Sequence, residues 1–175
     1  MATIGWIGSG HQLCKKYVGK HPVAIIQLLK TKKQMYQNEI NTPDQALVHL
    51  AFHCCLKDGE LHDTELDFVS SAFVAKGLNK ALDLKQEIQS YQAYYKNMKD
   101  ETAYLLFLIR NISPKNKLAL FAFCAEIVNR DGNISLSEEV LLNKLASLLY
   151  IREGENLTIQ RLIFELNAVE KANAF

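Results

Sequence analysis

One short pattern occurs twice in this chain and constrains its fold more than any other feature of the sequence. Asp58-Gly59 recurs as Asp131-Gly132, and Glu65 recurs as Glu138, with each Glu seven positions after its Asp. Asp131 lies as many positions after Asp58 as Glu138 lies after Glu65, and we call this constant separation between the two copies the repeat offset. Apolar residues recur at three- and four-residue spacing before and after each turn, which is the spacing of one helix face. Each copy is therefore predicted to be a helix, a D-G turn and a second helix.

The repeat predicts the fold class. An αα-hairpin cannot bury its apolar face alone, so two such hairpins are expected to pack against each other. We predict an all-α bundle of about seven helices, and no segment shows the two-residue alternation of a half-buried strand. The chain is predicted to consist of an N-terminal arm and helix, 1–40, followed by a helical domain, 41–175. Within that domain we predict two pseudo-repeated αα-hairpins, at about 42–77 and 113–150, and a final helix at about 158–172.

Capping residues give the expected helix starts. Thr42-Pro43 places a good N-cap residue before a proline at the first helical position, and Ser113-Pro114 repeats this arrangement in the second copy. Asp100 is predicted to cap a helix that lies between the two copies. The tyrosines within 91–95 are predicted to pack in the core or a groove, since few basic residues accompany them as in a nucleic-acid stacking surface.

Composition excludes several classes of protein. The net charge of +1 gives no general attraction to nucleic acid or to an anionic membrane, so no nucleic-acid partner is expected. No run of about 18 uncharged apolar residues predicts a transmembrane span. The start of the chain lacks the pattern of a signal peptide, and none of the four cysteines forms a C-x-x-C motif. A cytoplasmic protein with thiols rather than disulfides is the expectation.

The N-terminal segment 1–40 has a different character. Gly5, Gly8 and Gly10 are too loosely arranged for a dinucleotide-binding loop, because no strand precedes them. Six lysines follow in this segment: Lys15, Lys16, Lys20, Lys30, Lys32 and Lys33. They are interpreted either as a solvated helix face or as a docking surface for an acidic partner or a phosphate.

The second D-G turn resembles the end of a calcium-binding EF-hand loop but does not complete one. With Gly132 at the sixth loop position, the first ligand position falls on Ile127, which cannot bind a cation. A standard EF-hand is therefore excluded. Ser135 and Glu138 also fit a capping box at the start of a helix, although capping does not explain why the Asp occurs in both copies.

The two turns carry a resemblance to a known family. The segments D-G-E-L-H-D-T-E (58–65) and D-G-N-I-S-L-S-E (131–138) resemble the signature of the TerB-like family, which includes the tellurite-resistance protein TerB and the N-terminal module of DjlA-type co-chaperones. The resemblance extends over about 40–152. It implies an all-helical bundle in which the two hairpins are related by a pseudo-twofold axis. The chain departs from the family pattern at Tyr150, where a glycine-containing helix end is usual.

The resemblance also implies a cluster of acidic residues that holds a divalent metal. Carried over by position, the set is Asp58, Glu65, Asp131 and Glu138. Carboxylates brought close together repel each other unless a cation or a basic side chain neutralises them. Calcium or magnesium suits such oxygen ligands better than zinc does. A cation shared between the two turns is the expectation.

A second candidate site lies on the first helix. His49 and His53 are four positions apart, so one helix face could present both imidazoles to zinc. The alternative is a pair of polar side chains that is exposed or lines a second interface, since both lie off the apolar stripe. No Glu follows His49 as in the H-E-x-x-H motif, so the general base of a zinc protease is missing. Cys54, on the stripe, is predicted to be a small buried apolar residue.

The resemblance implies a non-enzymatic helical module that binds a protein partner, with a divalent cation as a further candidate ligand. It implies a place in a stress-response or tellurite-resistance-like complex, or in a peripheral membrane-associated one. Two alternatives remain open. One is a metal-dependent enzyme that uses His49, His53 and the acidic residues, and the other is a structural scaffold in which the acidic residues only cap helices.

Overall fold

The structure, a computed structural model, describes residues 35–57, 63–75, 77, 82–130 and 132–172; within the helices, the side chains of 63–65 and 170–172 are not described. Most of the predicted N-terminal arm, 1–40, lies outside these residues, and so do the six lysines between 15 and 33.

The described residues form eight helices and no strand, which confirms the all-α prediction. Seven of them are longer than one helical turn, in agreement with the predicted number. In chain order they are α1 (Tyr36–Glu39), α2 (Pro43–Cys55), α3 (Asp63–Ala75), α4 (Leu84–Tyr95), α5 (Glu101–Ile112), α6 (Lys117–Val128), α7 (Leu136–Leu149) and α8 (Glu153–Ala172).

The sequence repeat corresponds to a repeat of helices. The repeat offset relates Pro43, the first residue of α2, to Asn116, the N-cap of α6, and it relates Asp63 of α3 to Leu136 of α7. A third helix follows each hairpin and packs against its first helix: α4 against α2, and α8 against α6. We call α2–α4 unit 1 and α6–α8 unit 2, with α5 linking them.

The first helices of the two units form the centre of the bundle. Helix α2 packs against α3, α4, α5 and α6, while α6 also packs against α3, α7 and α8. Burial of apolar surface is the main stabilising contribution to such a core. The apolar residues that the two helices bury almost completely include Leu50, Ala51, Phe52 and Cys54 of α2 and Phe121, Cys124, Ala125 and Ile127 of α6. The prediction that Cys54 is a buried apolar residue is confirmed.

The predicted caps are confirmed in unit 1 and in the linking helix. Thr42 and Gln45 form a capping box at the start of α2, and Asp100 accepts a hydrogen bond from the backbone of Ala103 at 2.9 Å. Two further residues cap helix starts without having been predicted from the sequence. Asp83 caps α4, and Asn116 caps α6.

Two predicted helix starts are wrong. Ser113 ends α5 in the left-handed conformation, with φ of 45°, and α6 starts only at Lys117, because the Asn116 side chain caps it by accepting from Ala119 N at 3.0 Å. Helix α8 starts at Glu153, before the predicted Thr158. None of the helices in the described ranges is long and apolar enough to cross a membrane.

Candidate functional site

The predicted acidic set is only partly described. Asp58 and Asp131 lie outside the described residues, and Glu65 lies within α3 with its side chain undescribed. Glu138 is the one member whose side chain the structure describes. The meeting of the four carboxylates around a cation therefore stays a prediction.

Hydrogen bonds fix the shape of the second turn on both sides of Asp131. Helix α6 ends at Val128, and the residue that follows, Asn129, donates its backbone N–H to Ala125 O at 3.0 Å. The chain then turns, with Gly132 N donating to Asn129 O at 3.0 Å and Gly132 at a φ of 82°, which glycine adopts without steric cost. Helix α7 starts shortly afterwards, at Leu136.

Glu138 lies in the first turn of α7, where it completes the predicted capping box. Ser135 N donates to Glu138 Oε2 at 2.7 Å, and Glu138 N donates to Ser135 Oγ at 3.3 Å. The side chain is 5% exposed, so its carboxylate is held close to the turn. The unpaired backbone N–H groups at a helix start also favour negative charge there.

Asn129, which the sequence did not single out, is the most unusual polar residue of this turn. It is fully buried, its Nδ2 donates to Ala125 O at 2.7 Å, and its backbone oxygen accepts from Asn167 Nδ2 at 2.9 Å. Its side-chain oxygen Oδ1 has no hydrogen-bond partner in the described part of the chain. The only signal in the sequence is its position two places before Asp131.

The two histidines of α2 lie in a buried polar network between α2, α4 and α5. His49 is fully buried, with Nε2 at 2.8 Å from Glu87 Oε2 and Nδ1 hydrogen-bonded to the hydroxyl of Tyr94. Tyr94 in turn shares a hydrogen bond of 2.8 Å with the hydroxyl of Tyr104. Gln45 holds the other oxygen of Glu87, donating from Nε2 at 3.0 Å.

His53 has the same arrangement one helical turn further along. Its side chain is 1% exposed, with Nδ1 at 2.8 Å from the Tyr91 hydroxyl and Nε2 at 3.0 Å from Glu101 Oε1. Lys57 and Lys144 both form ion pairs with Glu101. Each histidine is thus held between a tyrosine of α4 and a carboxylate. We call these six residues the Tyr–His–Glu network: Tyr91, His53 and Glu101 in one chain of bonds, Tyr94, His49 and Glu87 in the other.

The direction of these hydrogen bonds follows from the pKa values. Burial lowers the pKa of both histidines, although the hydrogen bonds to the carboxylates oppose the effect. The hydrogen bond from His53, with those from Lys144 and Lys57, holds the pKa of Glu101 well below its usual range. Burial raises the pKa of Tyr91 and Tyr94. Neutral imidazoles therefore donate from Nε2 to the carboxylates and accept at Nδ1 from the tyrosine hydroxyls.

The interpretation of the pair as lining a second interface is confirmed, since neither histidine lies on a solvent-exposed face. All four ring nitrogens take part in hydrogen bonds, and the described residues contain no group of three or more His, Cys, Asp or Glu that could hold a metal. The two histidines thus connect α2 to α4 and α5 by hydrogen bonds. Zinc binding by His49 and His53 stays a prediction of the sequence.

Comparison with known proteins gives one match. The model of the family described as "Tellurite resistance protein TerB" matches residues 44–160, which is more than half of the 175-residue chain. No curated protein and no solved structure matches it. The matched residues include both D-G turns and the Tyr–His–Glu network, and they extend from the start of α2 into α8.

Proposed function

Because this chain belongs to the TerB family, we propose that it is a non-enzymatic binding module whose unit 2 binds a partner protein and whose acidic turns bind a divalent cation. The family and the resemblance suggest a cytoplasmic stress-response or tellurite-resistance-like complex, or one peripherally associated with a membrane. Catalysis is not part of the proposal. The histidines that suggested an enzyme are 0% and 1% exposed, so a substrate has no access to them.

The observation that carries partner binding is the exposed apolar surface of unit 2. Its large apolar side chains with about half or more of their surface exposed are Leu136 and Val140 of α7, Tyr150 after it, and Leu157, Leu162, Phe164 and Leu166 of α8. In unit 1, by comparison, Val74 is the one described large apolar residue with half or more of its surface exposed. This excess of exposed apolar side chains in unit 2 is the reason to place the protein interaction surface there.

The comparison with unit 1 strengthens this interpretation. The repeat offset relates Leu136 and Val140 to Asp63 and Asp67, so the corresponding helix of unit 1 has charged residues there. Asp67 is exposed, as Val140 is. The bundle therefore does not require apolar residues at these two helix positions. The apolar residues Leu136 and Val140 in unit 2 are consistent with contact to another protein.

The test substitutes the residues of unit 1 into unit 2. We expect Leu136→Asp with Val140→Asp to leave thermal stability unchanged within error while abolishing recovery of the specific partners of the wild-type bait in quantitative affinity purification. Val74→Asp is the matched control, because Val74 is an 80% exposed apolar residue on α3 of unit 1. Equal recovery with all three baits would reject unit 2 as the partner surface.

The cation proposal rests on the repeated acidic turns and on the position of Glu138. Asp58, Glu65, Asp131 and Glu138 are the proposed ligands, and Glu138 is already held beside the second turn by its capping hydrogen bond. Oxygen ligands of this kind favour calcium or magnesium. Zinc prefers histidine and cysteine ligands, which the turns do not provide among these four residues.

Metal analysis and calorimetry test this proposal. Protein purified without a histidine tag is titrated with CaCl2 and with MgCl2, and Asp58→Asn and Asp131→Asn are each expected to weaken binding at least tenfold. Asp44→Asn, which changes a partly exposed carboxylate at the start of α2, is the matched control and should not change the affinity. Absence of binding heat and of any metal-dependent shift in Tm for the wild type would exclude the cation.

A further inference from the structure

We propose that Asn129 supplies a neutral oxygen ligand, its side-chain Oδ1, to a divalent cation held at the turn between α6 and α7. This inference rests on the cation binding proposed above and identifies a ligand that the acidic motif does not include. Its chemical class is a hard divalent cation, calcium or magnesium, bound by carboxylate and amide oxygens.

The orientation of the Asn129 amide is fixed by its surroundings. Nδ2 donates to Ala125 O at 2.7 Å, and the reverse orientation would place two oxygen atoms against each other there. Oδ1 is therefore the amide atom that remains for a ligand. The backbone oxygen of the same residue is held by Asn167 Nδ2 and Gly132 N, at 2.9 and 3.0 Å, which keeps Asn129 in place at the start of the turn.

A buried oxygen without a partner needs an explanation. Most buried polar atoms in folded proteins have a hydrogen-bond partner, and an exception indicates strain, a function, or a bound water or ion. Asn129 is 0% exposed, and Oδ1 is the one buried side-chain nitrogen or oxygen atom among the described residues without a partner. A bound cation would satisfy it.

The spacing of neighbouring oxygen-bearing residues favours a cation over other ligands. Asn129, Asp131 and Glu138 have the spacing of the third, fifth and twelfth positions of a calcium loop, although Ile127 cannot supply the first. Both ends of this set are held in place, Asn129 by α8 and Glu138 by its capping box. An amide oxygen adds a ligand without adding negative charge, so it does not increase the repulsion between carboxylates.

Unit 1 lacks this ligand. Leu56 is the counterpart of Asn129 at the repeat offset and also ends its helix, with its backbone oxygen held by the Tyr95 hydroxyl at 3.3 Å. The backbone arrangement is therefore shared, while the side chain in unit 1 cannot bind a cation. The second turn offers one more ligand than the first and is therefore expected to make the stronger cation contacts.

The experiment compares two asparagines that make the same hydrogen bond. Asn111 Nδ2 donates to Phe107 O at 2.8 Å, as Asn129 donates to Ala125 O, but Asn111 lies at the end of α5. In titrations with CaCl2 and MgCl2, Asn129→Leu is expected to weaken binding about tenfold or more, because one oxygen ligand is lost. Asn111→Leu should bind like the wild type.

A second variant keeps the inference testable if Asn129→Leu does not fold. Asn129→Asp places a carboxylate in a buried site, so its Tm in EDTA should fall below that of the wild type. Added CaCl2 should then raise the Tm of Asn129→Asp more than that of the wild type, since a charged ligand replaces a neutral one. An equal or smaller shift would overturn the role of Asn129.

The outcomes separate this inference from the proposal beneath it. A wild-type protein that shows neither binding heat nor a metal-dependent Tm would reject cation binding altogether, and Asn129 with it. Wild-type binding with an unchanged affinity in Asn129→Leu would reject Asn129 alone and leave the acidic residues as ligands. A Tm lowered equally with and without cation would show that Asn129 only stabilises the turn.

Discussion

Helices α2 and α6 are the corresponding first helices of the two units, and they pack against their third helices in different ways. Helix α2 presents His49 and His53 to α4 and α5, where tyrosines and carboxylates hold both rings. Their counterparts in α6 are Ala122 and Glu126, with no histidine. The same arrangement of helices thus contains a buried histidine network in unit 1. At the counterpart positions unit 2 has no histidine; α6 buries apolar residues such as Phe121 and Ile127, and Asn167 of α8 donates one hydrogen bond to the end of α6.

This difference determines how each unit should respond to change. A buried hydrogen-bonded network is stable only while every member is satisfied, and loss of one member leaves buried polar groups without partners. Apolar packing tolerates volume-conserving substitution much better. Unit 1 is therefore expected to be the more sensitive of the two to mutation and to pH.

The largest expected effect is in the Tyr–His–Glu network. Substitution of His53→Leu removes the donor to Glu101 and the acceptor for Tyr91, both in a largely buried setting. We expect a loss of about 3 kcal/mol in the free energy of unfolding, measured by urea denaturation. A loss below about 1 kcal/mol would show that the network does not make unit 1 more sensitive to mutation than unit 2.

The matched control for this substitution removes the partner as well. Tyr91→Phe alone should cost about 1 kcal/mol, since it deletes one hydrogen bond. Combined with His53→Leu it should cost less than the sum of the two single changes, because the hydroxyl that lost its acceptor is then absent. Additive losses would contradict a direct bond between the two residues.

Acid sensitivity is the second expected difference. Burial lowers the pKa of His49 and His53 in the folded state, so the unfolded chain takes up protons at higher pH than the folded chain. The stability contributed by the neutral rings is therefore full above their ordinary pKa of about 6.5 and is lost as the pH falls below it. The slope should reach up to about 1.4 kcal/mol per pH unit for each histidine.

Urea denaturation between pH 8 and pH 5 measures this slope, and His53→Leu should reduce it. Glu101 affects stability in a lower pH range than the histidines. Because its pKa is lowered in the folded state, the stability that it contributes is fully present above its ordinary pKa of 4.5 and is lost as the pH falls below that value. An identical slope in the wild type and in His53→Leu would place the acid sensitivity elsewhere in the chain.

The sequence predicted the fold well because helix periodicity and caps are local signals. Thr42, Asp100 and Ser135 each cap the helix that the residue type and spacing indicated. Ser113-Pro114 failed as a helix start because the tertiary structure places Ser113 in a left-handed helix end, and a different residue, Asn116, makes the cap.

The polar sites were harder to predict, because their partners come from distant parts of the chain. The H-x-x-x-H spacing identified His49 and His53, but nothing local indicated that Glu87 and Glu101 would hold them from 38 and 48 residues away. Asn129 resembles an ordinary loop residue until its burial and its unpartnered oxygen are known. Chemistry that depends on burial cannot be read from spacing alone.

The two capping boxes provide a smaller test of the equivalence between the units. Thr42 with Gln45 and Ser135 with Glu138 occupy the starts of α2 and α7, so the first cap belongs to unit 1 and the second to unit 2. We expect Thr42→Ala and Ser135→Ala each to cost about 1 kcal/mol, because each removes an acceptor for an otherwise unpaired backbone N–H. If Glu138 also binds a cation, added CaCl2 should offset the loss in Ser135→Ala and not in Thr42→Ala, as measured by Tm.

The smallest expected effect comes from one position at which the units differ. Gly77 and Tyr150, counterparts at the repeat offset, both have a left-handed backbone, with φ of 63° and 60°. Glycine adopts this conformation freely, whereas an L side chain is strained in it by about 1 kcal/mol. Tyr150→Gly should therefore raise the free energy of unfolding, but by less than about 1 kcal/mol. The gain is reduced because the ring also loses its contact with Lys117, whose Nζ lies 4.9 Å from the ring centroid.

The reverse change in unit 1 is the control for this position. Gly77→Ala should cost about 1 kcal/mol in urea denaturation even though the added methyl group meets no atom within 4 Å, so backbone strain alone is measured. If Tyr150→Gly instead lowers stability, the tyrosine contributes more than its backbone strain costs. Its 86% exposed ring is then a feature of unit 2 retained for stability rather than for contact with a partner.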